Sequence, residues 1–269
     1  MNAPERISLP DVQSQRNPRG LPIDAVGINH VRYPITVTSG TDRIATIASF
    51  AMSVELPAIA KGTHMSRFIE ILEDQEGSLD AAAFQRLVLR MLERLQARRG
   101  TVEMRFPWFA RKAAPVSGAE SLLDYDVTWR GTAETGGQYA LTVTVVVPAT
   151  SLCPCSKDIS AYGAHNQRTN IQIEAELAGD LDISDLILVA ERSASCEVYG
   201  LLKRADEKYV TERAYDNPRF VEDLVREVAS ELRTDVRVRR FVVQAENFES
   251  IHNHSAIATL RWPPRELTD

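Results

Sequence analysis

Hydrophobic and polar residues alternate along several segments of the chain, and a period of two predicts β-strands with one buried face. Residues 31–37 alternate in this way, and residues 44–56 follow them across a Ser-Gly turn. Two more segments of this kind, 101–109 and 125–135, precede Gly136-Gly137. Because paired glycines favour a tight turn, we expect the first half of the chain to contain four strands that end there.

Helical periodicity separates the two strand pairs of the first half. Apolar residues recur every three or four positions over 66–72 and over a longer segment that ends near Gly100. Ser66 and Ser78 are placed to cap these two helices, and Gly100 is placed to end the second. The predicted order is therefore strand, strand, helix, helix, strand, strand.

The second half repeats this order. The predicted elements are strands at 141–147, 171–177, 236–246 and 255–262, and helices at 183–192 and 218–233. Asn217 and Pro218 mark the start of the last helix, because Asn is favoured at the N-cap and Pro at the first helical position. We interpret the charged segment 204–212 as a surface loop, and His30 and Cys196 as core residues.

The repeated pattern predicts the fold class and the domain organisation. We expect an α+β protein with two modules, each an antiparallel sheet with a helix pair on one face. A flexible N-terminal tail is expected at 1–24, the first module at 25–136 and the second at 137–269. The tail places four prolines among polar residues and lacks the apolar core of a secretion signal.

Composition excludes several classes of function. Of the 269 residues, 44% are hydrophobic and 25% charged, which is typical of a soluble globular protein. No segment approaches the roughly 20 apolar residues that cross a bilayer, so we expect no membrane partner. A net charge of −6 argues against nucleic acid as the main partner. Three cysteines, two of them in a Cys-X-Cys pair, favour reduced thiols and a cytoplasmic location.

Candidate chemistry is concentrated in the segment 151–167. Cys153 and Cys155 flank a proline, and His165 follows twelve residues after the first thiol. A thiol and an imidazole on one loop suit a metal site or an activated nucleophile. Lys157 favours the thiolate, and Gly163 permits the loop to fold back.

A second cluster lies between the last two predicted strands. Glu249, His252 and His254 stand within six residues of each other at this hairpin end. Two imidazoles and a carboxylate supply either metal ligands or groups that transfer protons. The alternative is a polar, solvated turn.

Together these motifs resemble GTP cyclohydrolase I of type IB. The residues that carry the resemblance are Cys-Pro-Cys-Ser-Lys at 153–157, Gly-Ala-His-Asn-Gln-Arg at 163–168, Asp206-Glu207, the segment 249–252, and Lys-Gly-Thr-His-Met-Ser-Arg-Phe at 61–68. Several long motifs in the right order make the resemblance specific, and it covers about residues 27–262.

The resemblance implies tandem tunnelling-fold (T-fold) modules in a homotetramer with active sites at subunit interfaces. It implies conversion of GTP to 7,8-dihydroneopterin triphosphate and formate, the first step of tetrahydrofolate and pterin biosynthesis. It also implies a divalent metal, manganese or zinc, with iron as a further option. By motif, Cys153, His165 and Glu207 are the implied metal ligands. Glu249 and His252 are implied beside the metal, and we add His254 as a proton donor.

This activity agrees with elementary chemistry. A bound divalent ion lowers the pKa of water from 15.7 toward about 7, so that water attacks purine C8 at neutral pH. Opening of the ring then needs a proton donor, and His252 or His254 is placed for that step. Glu222 is our candidate for the carboxylate that accepts two N–H groups from guanine. The candidate cations for the triphosphate are Lys61, Arg67, Lys157, Arg168 and Lys203.

Three alternatives stay open at this point. The nitrile reductases of queuosine biosynthesis share the fold and use a cysteine nucleophile. The archaeal type of cyclohydrolase shares the fold and yields a cyclic phosphate. From another class, a non-catalytic assembly module would close off its metal with four protein ligands and leave GTP untouched.

Overall fold

The computed structural model describes Asp11, Gln13 and residues 15–264. Residues 1–10, 12 and 14 of the predicted tail lie outside the described residues, as do residues 265–269 of the predicted second module. The strands are β1 (Ile23–Ser39), β2 (Asp42–Leu56), β3 (Arg99–Ala113), β4 (Glu120–Glu134), β5 (Gln138–Leu152), β6 (Asn166–Leu177), β7 (Cys196–Glu197), β8 (Val238–Asn247) and β9 (Ala256–Trp262). The helices are α1 (Ser66–Glu73), α2 (Ala81–Leu95), α3 (Pro154–Ile159), α4 (Ile183–Ser193), α5 (Arg204–Asp216) and α6 (Val221–Thr234).

All nine described strands belong to one antiparallel sheet. Eight of them follow the order β1-β2-β3-β4-β5-β6-β8-β9, and the short β7 pairs with β5. β4 and β5 form a hairpin across Gly136-Gly137, whose φ angles of +107° and +93° suit glycine. The turn prediction is therefore confirmed. Because the hairpin makes the sheet continuous between the two halves, the boundary between the modules stays a prediction.

The core lies between one face of this sheet and the long helices. α1 and α2 cover the strands of the first half, and α4 and α6 cover those of the second. Phe84 of α2 packs edge-on against Trp129 of β4 at 5.6 Å, and Phe106 of β3 meets the same indole at 5.9 Å. Truncation of a buried Phe such as Phe84 costs about 3–5 kcal/mol. No helix in the described part of the chain is long and apolar enough to cross a membrane.

The charged segment 204–212 is helical, so the loop interpretation was wrong. It forms most of α5, in which Asp206 and Ala214 are the buried residues. A helix that is polar nearly all round gives no apolar period. Its exposed face carries i,i+4 pairs such as Lys208–Glu212 at 2.6 Å. The segment after Cys153 also contains a helix, α3, where we expected only a loop.

The predicted helix caps also need correction. Asn217 ends α5 and donates its side-chain N–H groups to the carbonyls of Ala194 and Ser195, so α6 begins later, after Phe220. Asp80, and not Ser78, caps α2. Gln96 ends α2 in a left-handed conformation, whereas Gly100 lies in β3. Met65 precedes α1, so Ser66 is already inside that helix.

The two residues assigned to the core behave differently. Cys196 is buried, as predicted. His30 is exposed at an irregularity of β1, with φ at +59°. Its N–H donates to Asn29 Oδ1 at 2.8 Å, a local bond that suits a bulge.

Candidate active site

The loop after β5 folds back and brings Cys153 next to His165. Cys153 is the N-cap of α3: Pro154 follows it, and its Sγ accepts a hydrogen bond from the Ser156 N–H at 3.4 Å. The Cys153 N–H donates to His165 O, and the His165 N–H donates to Ser156 Oγ, both at 3.2 Å. Gly163 permits the return with φ at +116°. The thiol and the imidazole therefore belong to one closed loop.

A carboxylate from a different turn meets this loop. β6 pairs with β8, so the residues after β8 lie beside the start of β6. The Oε2 of Glu249 lies 3.9 Å from His165 Nδ1 and 3.4 Å from His252 Nδ1. The side chains of His165 and Glu249 are 13% and 12% exposed, whereas that of His252 is 51% exposed. The carboxylate thus connects a sheltered imidazole with one that reaches solvent, an arrangement suited to proton transfer.

Two side chains outside the predicted set contact these groups. Gln167 donates its Nε2–H to Glu249 Oε1 at 3.1 Å, and Ser250 Oγ lies 3.3 Å from His165 Nδ1. Gln167 shares the buried phase of β6 with Ile171, although it is polar. A polar residue in the buried phase of a strand is a sequence signal for a site, and it identifies Gln167.

A buried polar layer continues from this site into the sheet. Asn247 donates its Nδ2–H to Ser151 Oγ at 3.1 Å, and Ser151 donates to Arg219 O at 3.2 Å. The ends of β8 and β5 are thereby tied to the segment before α6. Gln167 Oε1 and Asn247 Oδ1 are buried acceptors without a partner among the described residues, so this layer can accept hydrogen bonds from a bound molecule.

Two predicted residues lie at the edge of the site. The His254 ring stacks on the His252 ring, with 5.1 Å between centroids and 26° between planes. Cys155 is exposed, whereas Cys153 is partly buried, and both thiols are free. Cys155 therefore lies further toward solvent than its neighbour.

Glu207, the third implied metal ligand, lies in the first turn of α5 with an exposed side chain. In the described part of the chain no hydrogen bond or ion pair joins it to Cys153 or His165. Nor does any group of three His, Cys, Asp or Glu side chains there have a geometry that would hold a metal ion. Within the described residues of one chain, the loop and the Glu249 turn thus come together, but Glu207 does not join them.

The residue before Glu207 anchors the start of α5. Asp206 is fully buried and accepts hydrogen bonds from the N–H groups of Val116, Ser117 and Lys203 and from the Ser117 hydroxyl, at 2.7–2.8 Å. Burial alone would raise the pKa of Asp206, but these four bonds outweigh it and hold the pKa well below its usual range. The turn between β3 and β4 therefore fixes the position of α5.

The predicted substrate-binding residues lie in both halves of the chain. Lys157 donates to Tyr215 O and lies 4.2 Å above the Tyr215 ring, so it is directed at α5 and not at the thiols. The others are Lys61, which donates to Gln15 Oε1; Arg67, which donates to Arg94 O; Arg168, on β6; and Glu222, exposed in the first turn of α6. Among the described residues these contacts bring none of the four to Cys153.

Sheet order, antiparallel pairing and helices on one face define an α+β protein of the tunnelling fold (T-fold). Comparison with solved structures confirms this fold class. Uricase from Arthrobacter globiformis superimposes with a TM-score of 0.52 at 11% identity, over 88% of this chain and 92% of that one. At this identity the likeness shows the fold alone.

Sequence comparison identifies the family. The family described as type I GTP cyclohydrolase folE2 matches residues 9–258. GTP cyclohydrolase FolE2 from Azoarcus sp. (strain BH72) is 54% identical over 98% of this chain and 99% of the relative. GTP cyclohydrolase FolE2 1 from Dechloromonas aromatica (strain RCB) is 55% identical over 97% and 98%. The chain belongs to the type I GTP cyclohydrolase folE2 family, which confirms the resemblance and the expectation of an enzyme of this class.

Proposed function

We propose that this chain hydrolyses GTP to 7,8-dihydroneopterin triphosphate and formate with the help of a divalent metal ion. The observation that carries the proposal is the meeting of the Cys153–His165 loop with the Glu249 turn. Membership of the family supports GTP as the substrate. We further propose a cytoplasmic homotetramer with active sites between subunits.

The donor types at the loop suit a divalent metal. A thiolate at Cys153 and an imidazole at His165 belong to the donor set of zinc, and added carboxylate oxygens extend it to manganese. Cys153 and His165 would hold the ion, with Glu207 as the third ligand. When bound, such an ion supplies Lewis acidity and a nucleophile at neutral pH. Because no hydrogen bond or ion pair among the described residues brings Glu207 to the pair, its role needs a separate test.

The chain's own residues handle protons. The Gln167 N–H holds one oxygen of Glu249, which leaves Oε2 directed toward His165 and His252. Glu249 is mostly buried and His252 is half-exposed, so a proton taken up at the carboxylate can pass through His252 to solvent or to the opening purine ring. The His254 ring is stacked on the His252 ring, and His254 is the second proposed proton donor.

Substrate recognition is assigned to carboxylate and basic groups. Glu222 is proposed to accept two N–H groups from the guanine edge. Lys61, Arg67, Lys157, Arg168 and Lys203 are the proposed triphosphate contacts. Family membership favours this assignment over a nitrile reductase. The Glu249 oxygen that lies beside two imidazoles, one of them half-exposed, favours it over a closed, non-catalytic metal site.

Metal removal and restoration test the proposal. The protein is stripped with a chelator, supplied with manganese, zinc or iron(II), and assayed for formate and for neopterin fluorescence from GTP. We expect formate and neopterin in equal amounts, and only after metal is restored. A metal-loaded protein that releases no formate would refute the proposal. A cyclic phosphate product would identify the archaeal type of reaction, and NADPH oxidation with a nitrile substrate would identify a reductase.

A further inference from the structure

A segment near the N-terminus lies across the loop at 57–64, which joins β2 to α1. We call this segment, which comprises Asp11, Gln13 and residues 15–17, the strap. The Asn17 N–H donates to Ile59 O at 2.8 Å, and the Asn17 side chain donates to Ala58 O at 3.2 Å. Within the described ranges, every hydrogen bond that ties the backbone of this loop to a segment elsewhere in the sequence involves the strap. The strap therefore holds a loop that has no helix or strand of its own.

Gln15 of the strap contacts Lys61 at both of its ends. Gln15 O accepts the Lys61 backbone N–H at 3.1 Å, and Gln15 Oε1 accepts from Lys61 Nζ at 2.7 Å. One residue thus fixes the backbone and the side-chain tip of a lysine that is otherwise exposed. A lysine side chain loses rotamer freedom when it binds a ligand, and this restraint removes part of that entropic cost before the ligand arrives.

The contact with Gln15 leaves the charge of Lys61 available. The amide oxygen of Gln15 is neutral, and no ion pair engages Lys61 among the residues that the structure describes. An ammonium group has three donors, and only one of them is directed at Gln15. Lys61 is therefore oriented but not neutralised, which suits a group that binds an anion.

A second contact fixes the far end of the loop. Asp11 Oδ2 lies 3.3 Å from His64 Nε2. Arg67 follows in the first turn of α1 and donates to Arg94 O at 3.3 Å. Two of the cations assigned to the triphosphate, Lys61 and Arg67, are thus held on one anchored segment.

We propose that Gln15 positions Lys61 for the triphosphate of GTP. This role rests on the triphosphate contact that the proposed function assigns to Lys61. Gln15 is a positioning residue, because it acts through the lysine and not on the substrate. Loss of its side-chain contact should weaken binding of the phosphates equally in the ground state and in the transition state, so KM should rise while kcat is retained.

Tripolyphosphate is a suitable probe, because it carries the phosphate charges without the guanine ring. The full-length protein is titrated by calorimetry in excess Mg²⁺, which occupies the chelating oxygens of the probe. Gln15→Ala should weaken tripolyphosphate binding about three- to tenfold and raise KM for GTP by a similar factor, with kcat changed less than about twofold. Gln15→Glu keeps the length of the side chain but sets a carboxylate against Lys61 and the incoming phosphates. It should weaken binding at least as much, whereas a strap that only supports the loop would tolerate this substitution.

Gln13→Ala is the matched control within the strap. The Gln13 side chain lies beside Gly62, and no hydrogen bond in the described part of the chain joins it to Lys61. The control should change the Kd of tripolyphosphate less than about twofold. In a double-mutant cycle, Gln15→Ala should have no further effect once Lys61→Ala is present, because Gln15 acts through that lysine.

Four results would overturn the role of Gln15. They are absence of saturable binding to the unsubstituted protein, unchanged or tighter binding in Gln15→Ala, an equal loss in Gln13→Ala, and additive losses in the cycle with Lys61. Because the titration needs no turnover, a protein that binds tripolyphosphate in the expected way but releases no formate would refute the proposed reaction alone.

Discussion

Lys112 of β3 and Glu191 of α4 form a nearly buried ion pair that joins the two halves of the chain, with 2.6 Å between Nζ and Oε1. The side chains are 13% and 9% exposed. The Tyr125 hydroxyl donates to the same Glu191 oxygen at 2.9 Å, and Lys112 also donates to Val198 O at 2.9 Å. Both charges therefore have several partners within the contact between the halves, and loss of either one would leave the other charge in the interior without compensation.

Substitution of Lys112 should therefore reduce stability. Lys112→Met leaves the Glu191 carboxylate in the interior without its cation, and loss of one partner of a buried pair costs about 3 kcal/mol. The neighbouring Arg111→Met is the matched control: Arg111 is 63% exposed, so the expected cost is below about 0.5 kcal/mol. Urea unfolding measures both, and equal losses in the two variants would contradict the role assigned to the pair.

The strands could be predicted from sequence because one face of the sheet is buried and the other is not. Their union into one sheet could not, because the pattern predicts a sheet in each module and the β4–β5 pairing joins the two. Strict alternation marked β5 and β6, and Gly136-Gly137 marked the hairpin between β4 and β5. α5 could not be predicted in this way, because it is held by hydrogen bonds between Asp206 and the turn at 116–117, which is far away in sequence.

The candidate site was predictable in two parts. Cys153 and His165 share one loop, and Glu249 and His252 share one turn, so sequence proximity identifies each pair. Their meeting depends on the register of β6 with β8, in which Thr169 is opposite Asn247. Such non-local pairing leaves no local pattern, and only the family resemblance linked the two parts beforehand.

The bond between Ser117 and Asp206 should affect Glu207, the next residue. Ser117→Ala removes the hydroxyl that donates to Asp206 Oδ2 at 2.7 Å. If Glu207 binds the metal, looser anchoring of α5 should weaken the metal affinity about tenfold. That is the lower end of the range for substitution of a residue that holds a metal ligand in place. Ser121→Ala is the control, because the buried Ser121 hydroxyl has no partner in the described structure. Metal titration measures both, and equal affinities in the two variants would contradict the link.

The buried thiol of Cys196 should be inert at pH values where Cys155 reacts. Burial, and secondly Glu197, raise the pKa of Cys196 to about 11. At about pH 9 the Cys196 thiol should therefore react with iodoacetamide about 100-fold more slowly than the exposed Cys155 thiol. Peptide mass spectrometry measures the two rates, and similar rates would contradict the burial of Cys196.

The same shift has a consequence for stability. The pKa of Cys196 in the folded state lies above the ordinary value of about 8.5. The contribution of Cys196 to the free energy of unfolding is therefore complete below about pH 8.5, and it is lost as the pH rises through about 11. In Cys196→Ala, the free energy of unfolding should change less with pH between about pH 8.5 and 11. If its slope against pH stayed the same in that window, the raised pKa of Cys196 would be contradicted.

Glu249 should be needed for turnover but not for folding. Glu249→Gln keeps an oxygen for the Gln167 N–H but cannot accept a proton at neutral pH, so kcat should fall at least about 100-fold. Glu246→Gln is the matched control: Glu246 accepts from Ser255 Oγ at 2.7 Å, outside the candidate site, and its loss should change kcat less than about threefold. If both variants turned over GTP at the same rate, Glu249 would have no proton-transfer role.

Cys153 and Cys155 should differ in their effect on the metal, although one proline separates them. Cys153 Sγ is the N-cap acceptor of α3 inside the closed loop with His165, whereas Cys155 is exposed. Cys153→Ala should lower zinc or manganese content at least about tenfold and abolish formate release, while Cys155→Ala should retain most of both. Cys153→Ser tests the capping role separately, because a hydroxyl also accepts the Ser156 N–H but is a poorer zinc ligand. Full metal content and activity in Cys153→Ala would remove the principal proposed ligand, and loss in Cys155→Ala alone would move that role to the second thiol.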